Sequence, residues 1–271
     1  MKTRTFLANG LKLNCLDYGG EDRPPILFVH GGSAHAHWWD FVAPRLTDRF
    51  HTLSIDLRGH GDSERPKDWE YGTQHYVGDL EAVIDTWGLG APVLVGHSMG
   101  GHNVLVCATR HPEKLRAMVA IDSPPDYSDR AVNFLKALAD KPSRRYASMD
   151  AAVENFRLLP RETLASKETL GYIARLSFVK NEDGTWTHKV DRRTMVREPR
   201  DMWNDLGKIT CPALIVKIKK SFTVDVEVAR KMVARMPNGK LAEIDNAYHH
   251  AMLDNPDAVV ATLRQFLAEM E

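Results

Sequence analysis

Gly96-His97-Ser98-Met99-Gly100 sets a serine between glycines, with an apolar run before it and a helical pattern after it. A serine hydroxyl becomes a useful nucleophile once a neighbouring base takes its proton. A sharp strand-to-helix turn lifts such a serine to the end of a sheet. There the first helix N–H groups and the dipole favour developing negative charge. Glycine and serine are common, so the five-residue pattern alone is weak, and its flanking strand and helix carry the reading. The plain alternative is an ordinary serine N-cap. Twelve histidines are available as base. His249 and His250 stand out because they fall between a late strand pattern and the last helix pattern. His30, His35 and His37 lie close together, but no carboxylate or cysteine pattern accompanies them and H-E-x-x-H is absent. They read as loop histidines, with His35 and His37 at a pocket mouth, and no metal site is expected. His60 reads as structural to its turn.

The elements that must position these residues alternate. Asn9-Gly10 between two alternating runs predicts a β-hairpin. Short, continuously apolar runs at 25–29, 52–55, 92–96, 115–121 and 211–216 fit strands buried on both faces of a parallel sheet. Helical spacing at 74–87, 99–110, 224–236 and 256–271, with a further strand at 240–244, completes the alternation expected of a doubly wound sheet. The rhythm breaks between Pro124 and Leu206, a stretch of mixed charge punctuated by Pro142, Pro160 and Pro199. It reads as a mostly helical insertion with a small hairpin at Asp183-Gly184. The expected division is a core of residues 1–123 and 207–271 with an insertion at 124–206.

Composition narrows the function classes. The chain has 271 residues, 43% of them hydrophobic, which suits one large core. Lys+Arg and Asp+Glu balance at 36 each, so no net field favours nucleic acid or an anionic membrane. Cys15, Cys107 and Cys211 show no C-x-x-C spacing and read as reduced, buried thiols. No apolar run is long enough for a signal peptide or a membrane span, so a cytoplasmic protein is expected.

The residues in chain order resemble the α/β-hydrolase superfamily. The resemblance rests on His30-Gly31-Gly32 after one strand and Asp56-Leu57-Arg58-Gly59-His60-Gly61-Asp62-Ser63 after the next. The serine turn, and His249 followed by Leu253 and Pro256, complete it. It spans the chain except the insertion. It implies Ser98 as nucleophile and an oxyanion hole from the N–H groups of Met99 and Gly32, with Ser33 the next candidate. It implies His249 as base, where Asn246-Ala247-Tyr248 replaces the family's usual glycines and His250 is the alternative. The family's usual acid position, after the strand at 213–216, holds Ser221. Asp122, ending the strand after the nucleophile helix, is the preferred substitute, and Asp225 is the alternative acid.

The insertion emerges beside these residues and is expected to cover them as a cap. Trp38, Trp39 and Trp186 are candidate pocket walls, with Phe134, Leu138, Phe156, Leu159, Phe178 and Met202 as further cap residues. Both charge signs mix in the cap, so no strongly charged substrate is indicated. The expected function is hydrolysis of a small or medium carboxylic ester or lactone through an acyl-enzyme, without cofactor. Alternatives are a carbon–carbon bond hydrolase on a diketone-like substrate and a small-molecule receptor. Enzymes of this fold that need a carboxylate nucleophile fit less well, because Ser98 occupies that place.

Overall fold

The computed structural model describes residues 1–88, 90–198 and 200–270. Pro199 and Glu271, expected as a punctuating proline and the end of the last helix, lie outside the described residues. The chain opens with the hairpin β1 (Lys2–Ala8) and β2 (Leu11–Gly19), turned at Asn9 and Gly10, both at positive φ. β3 (Pro25–Val29), β4 (His51–Ile55), α1 (Thr73–Trp87), β5 (Val93–His97), α2 (Met99–Arg110) and β6 (Ala117–Ile121) follow. After the insertion come β10 (Ala213–Ile218), α6 (Val226–Val233), β11 (Gly239–Ile244), α7 (Ala251–Asp254) and α8 (Pro256–Ala268). The eight strands form one sheet in the order β1-β2-β4-β3-β5-β6-β10-β11, parallel from β4 to β11.

Every residue of β3, β4, β5, β6 and β10 is buried, as their unbroken apolar character requires. Helices cover both faces. One core holds Val77, Leu80 and Val104 against Leu27, Leu53 and Leu94. The other holds Trp39, Val259 and Leu263 against Phe28, Val95 and Val119. Burying each such side chain contributes about 1.5–3 kcal/mol. Cys15, Cys107 and Cys211 are free and buried in the first core.

The segment between β6 and β10 carries α3 (Asp129–Ala139), α4 (Met149–Glu154) and α5 (Lys167–Leu176). It also carries a separate antiparallel sheet of β7 (Arg145–Tyr146), β8 (Phe178–Lys180) and β9 (Trp186–His188). The β8–β9 hairpin turns at Gly184, as its Asp-Gly pair predicts, and β7 completes a third strand that no apolar run announces. Among the described residues no helix is long and apolar enough to cross a membrane.

Candidate active site

β3, β5 and β6 are neighbours and parallel, so their carboxyl ends lie side by side. Val29 pairs with Gly96 and His97 with Ile121, which sets Gly31, Ser98 and Asp122 along one edge. Three of the six non-glycine residues at left-handed φ among the described residues, Ser33, Ser98 and Asp122, lie here. Each such conformation costs on the order of 1–3 kcal/mol and must be held by its surroundings. Ser98 has φ 53° and ψ −119° and opens α2. Ser98 N–H donates to Ile121 O at 3.0 Å, and Ser123 Oγ donates to Ser98 O at 2.9 Å. A Cβ on Gly96 would meet Gly100 O at 2.5 Å, and one on Gly100 would meet His30 O at 2.4 Å. Both positions therefore need glycine because backbone passes against backbone.

His249 follows β11 and is buried. Its Nδ1–H donates to Asp122 Oδ2 at 2.7 Å, and Thr223 Oγ1 lies 3.1 Å from the same nitrogen. His97 Nε2–H donates to the His249 carbonyl at 2.8 Å and fixes the backbone of that loop. Asp122 is itself fixed through its N–H, which donates to Val216 O at 2.8 Å. No described residue takes up His249 Nε2, which leaves this nitrogen for the cavity that His249 and Ser98 share. This arrangement can draw a proton from a hydroxyl and stabilise the resulting imidazolium with a buried carboxylate.

That cavity measures about 670 Å³ and is lined by Gly31, Gly32, Ser33, Ser98 and Met99 from the sheet edge. Met99 begins α2, so its N–H has no acceptor within the helix. His30 braces the loop before Gly32. Its Nδ1–H donates to Gly31 O at 2.7 Å and its Nε2 accepts from Leu57 N–H at 3.0 Å. Burial holds the His30 imidazole below its usual range, which suits that neutral donor–acceptor role. The Asp56–Ser63 segment works behind it. Asp56 accepts from Ala36 N–H and Asp62 N–H, at 2.6 and 2.9 Å. Arg58 donates twice to Asp79 at 2.6 Å.

Several expected residues stand elsewhere. Asp225 caps α6, its side chain accepting from Glu227 N–H at 2.8 Å, while the carboxylate that bonds His249 is Asp122. Trp38 lines the cavity, but Trp39 is fully buried against Phe28, with ring centroids 4.8 Å apart. A short turn of 3-10 helix at Ala36–Trp39 sends the two indoles in different directions. Trp186 does not reach the cavity, because β9 holds it in the small sheet opposite Lys180 and Tyr146. His35 is buried with its Nε2 2.9 Å from Ser177 Oγ, and His37 pairs with Asp40, so neither borders the cavity. Phe134 and Leu159 line it, whereas Met202 packs in the main core and Phe156 and Phe178 pack on each other.

His97, His249 and His250 each bring a ring nitrogen within 4.8 Å of the others, and this is the one potential cation cluster among the described residues. One nitrogen of each ring already serves a hydrogen bond, to His249 O, Asp122 and Pro160 O respectively. Burial, with the neighbouring His249, lowers His250 to about 3, so it remains neutral. Its hydrogen bond to Pro160 O ties the sheet edge to the insertion at 3.0 Å.

Sequence reasoning passed over Arg197, Tyr127 and Thr223, which also line the cavity. Arg197 sits in a run with Arg192, Arg193 and Arg200, and nothing in the sequence singles it out.

Residues 24–256 match the family model described as the alpha/beta hydrolase fold. The 2-(acetamidomethylene)succinate hydrolase of Mesorhizobium japonicum is 26% identical over 252 residues, 90% of this chain and 88% of that protein. The N-formylmaleamate deformylase of Pseudomonas putida is 28% identical over 265 residues, covering 96% and 94%. The crystal structure of E-2-(acetamidomethylene)succinate hydrolase superposes with a TM-score of 0.87 at 25% identity, over 98% of this chain and 99% of that one. By family match, sheet order and overall superposition, this chain belongs to the alpha/beta hydrolase family.

Proposed function

We propose that this protein hydrolyses a small or medium acyl compound, foremost a carboxylic ester or lactone, with Ser98 as nucleophile, His249 as base and Asp122 as the acid. The observation that carries the reading is the 2.7 Å His249–Asp122 bond behind a cavity shared by His249 and the strained Ser98. Ser98 Oγ attacks the carbonyl carbon while His249 Nε2 takes the hydroxyl proton and passes it to the leaving oxygen. Water, deprotonated in turn by His249, then splits the Ser98 ester and releases the acid. The N–H groups of Met99 and Gly32 face the developing oxyanion, each contributing a few kcal/mol by preorganisation. Residues 124–206 act as a cap that limits water and shapes the acyl pocket.

A second reading moves the scissile bond from C–O to an acyl C–N bond. It is favoured by the two relatives, whose names describe action on acetamido and N-formyl compounds. The same three residues serve both bonds, since only the leaving atom that receives the proton differs. The test is a panel of activated esters, lactones, N-acyl compounds and diketones, compared by kcat/KM for the wild type and Ser98→Ala, with labelling by a serine-reactive phosphonate. Ser98-dependent turnover and labelling are expected. Binding without turnover or labelling would overturn the reading in favour of a receptor, and selective turnover of diketones would move it to C–C cleavage.

A further inference from the structure

Among the described residues Arg197 is the one buried cation on the cavity wall, and none of their carboxylates pairs with it. Its side chain is 8% exposed and lines the same cavity as Ser98. The guanidinium donates to the carbonyls of Thr194 and Val196, contacts the Met99 sulfur, and lies beside Tyr127. All four partners are neutral, and no described carboxylate forms an ion pair with it. The other charged residues on the wall, Asp126, Arg161 and Glu162, are exposed at the rim. A buried guanidinium without a counter-charge is costly, and a bidentate carboxylate is the group that best matches its fork of donors. Buried Arg58 has such a partner in Asp79.

The position narrows the ligand further. A Cβ on Gly32 would stand 3.2 Å from Arg197 Nη2. The charge therefore lies against the loop whose N–H faces the reacting carbonyl, and Met99 on its other side follows the nucleophile. We infer that Arg197 binds a carboxylate of the substrate, set a few bonds from the carbonyl that Ser98 attacks, so that the enzyme acts on half-esters or half-amides of short dicarboxylic acids. The inference rests on the hydrolase reading for the position of the reacting carbonyl. It reverses the expectation from cap composition, because mixed charge along the segment hides a single cation turned inward.

The test compares monomethyl succinate with methyl succinamate, which replaces the carboxylate by a neutral amide of nearly the same shape. The wild type is expected to prefer the acid by about 30-fold or more in kcat/KM, and Arg197→Gln to bring the ratio within about threefold. Arg197→Lys, a point charge without the planar fork, should restore part of the preference. A wild-type ratio below about threefold, or a preference that survives Arg197→Gln, would overturn the inference. If Arg197→Gln fails to fold, the wild-type ratio still decides. Succinate should then inhibit wild-type hydrolysis of a neutral activated ester at far lower concentration than succinamide does, and equal inhibition would count against Arg197. Ser98-dependent turnover of the neutral ester without acid preference sinks this inference alone. Absence of Ser98-dependent turnover sinks the hydrolase reading, and carboxylate binding is then read from Tm. Succinate should raise the Tm of the wild type but not of Arg197→Gln, and no rise in the wild type would overturn the binding as well.

Discussion

The sheet and the insertion are built to different standards. β3, β4, β5 and β6 bury every residue they have. α3 buries only Ala139 of its eleven residues, and α4 only Ala152. Both regions face the same cavity, with Ser98 and His249 from one and Tyr127, Phe134 and Arg197 from the other. Proton transfer and nucleophilic attack need reacting atoms held within a few tenths of an ångström, which a close-packed sheet edge can provide. Discrimination among substrates tolerates a thinner layer that can be re-sculpted without disturbing the sheet. On this comparison, changes at the sheet edge should remove turnover, whereas changes in the insertion should redirect it.

The largest effect tests the sheet edge directly. Ser98→Ala should cut kcat on an activated ester by on the order of 10⁴-fold or more, and Asp122→Asn by roughly 10³–10⁴-fold, with KM little changed. Asp225→Asn keeps the capping function and should stay within about threefold of the wild type. Single-turnover kinetics on the three variants separates these outcomes, and an inactive Asp225→Asn beside an active Asp122→Asn would reverse the assignment.

Acid should weigh most on the sheet region, which holds His30, His35, His60, His97, His102 and His250, whereas the insertion holds one imidazole lowered by burial, His188. Burial lowers His102 to about 4 and His250 to about 3, from an ordinary 6.5, and pushes His30, His35, His60 and His97 down as well. Below pH 6.5 the unfolded chain takes up protons at these rings while the folded chain does not, so stability falls with falling pH. For His102 and His250 this withdraws on the order of 1 kcal/mol per pH unit each until the folded value is reached. Urea midpoints between pH 7 and about 4.5 should decline steeply, and a flat profile would contradict the neutral, buried state of these imidazoles.

The smallest effect contrasts two phenylalanines. Phe28→Ala in β3 should cost about 3–5 kcal/mol of stability, since its ring is fully buried against Trp39. Phe134→Ala in α3, where the ring is 55% exposed, should cost less than about 0.5 kcal/mol. Its effect should fall instead on the relative kcat/KM of long and short acyl chains. Equal losses of stability at the two positions would erase the contrast between the regions.

The parts of this protein that were legible in the sequence are those where local chemistry dictates conformation. Five apolar runs became buried strands, with ends moved by one residue at most in β3, β4 and β5 and by two in β6 and β10. The glycines around Ser98 marked a turn that other side chains would block. His249 was singled out by the family resemblance through Leu253 and Pro256, which lie in the last two helices. Asp122 was readable only as one of two carboxylates, because its contact with His249 spans 127 residues and depends on β6 lying beside β5. Trp38 and Trp39 are adjacent in sequence with identical side chains, so only the path of their short turn could send one to the cavity and the other to the core. Arg197 is the extreme case. Among several arginines in one polar segment, the tertiary fold alone turned this one inward, because burial of a charge is decided by what the rest of the chain packs around it.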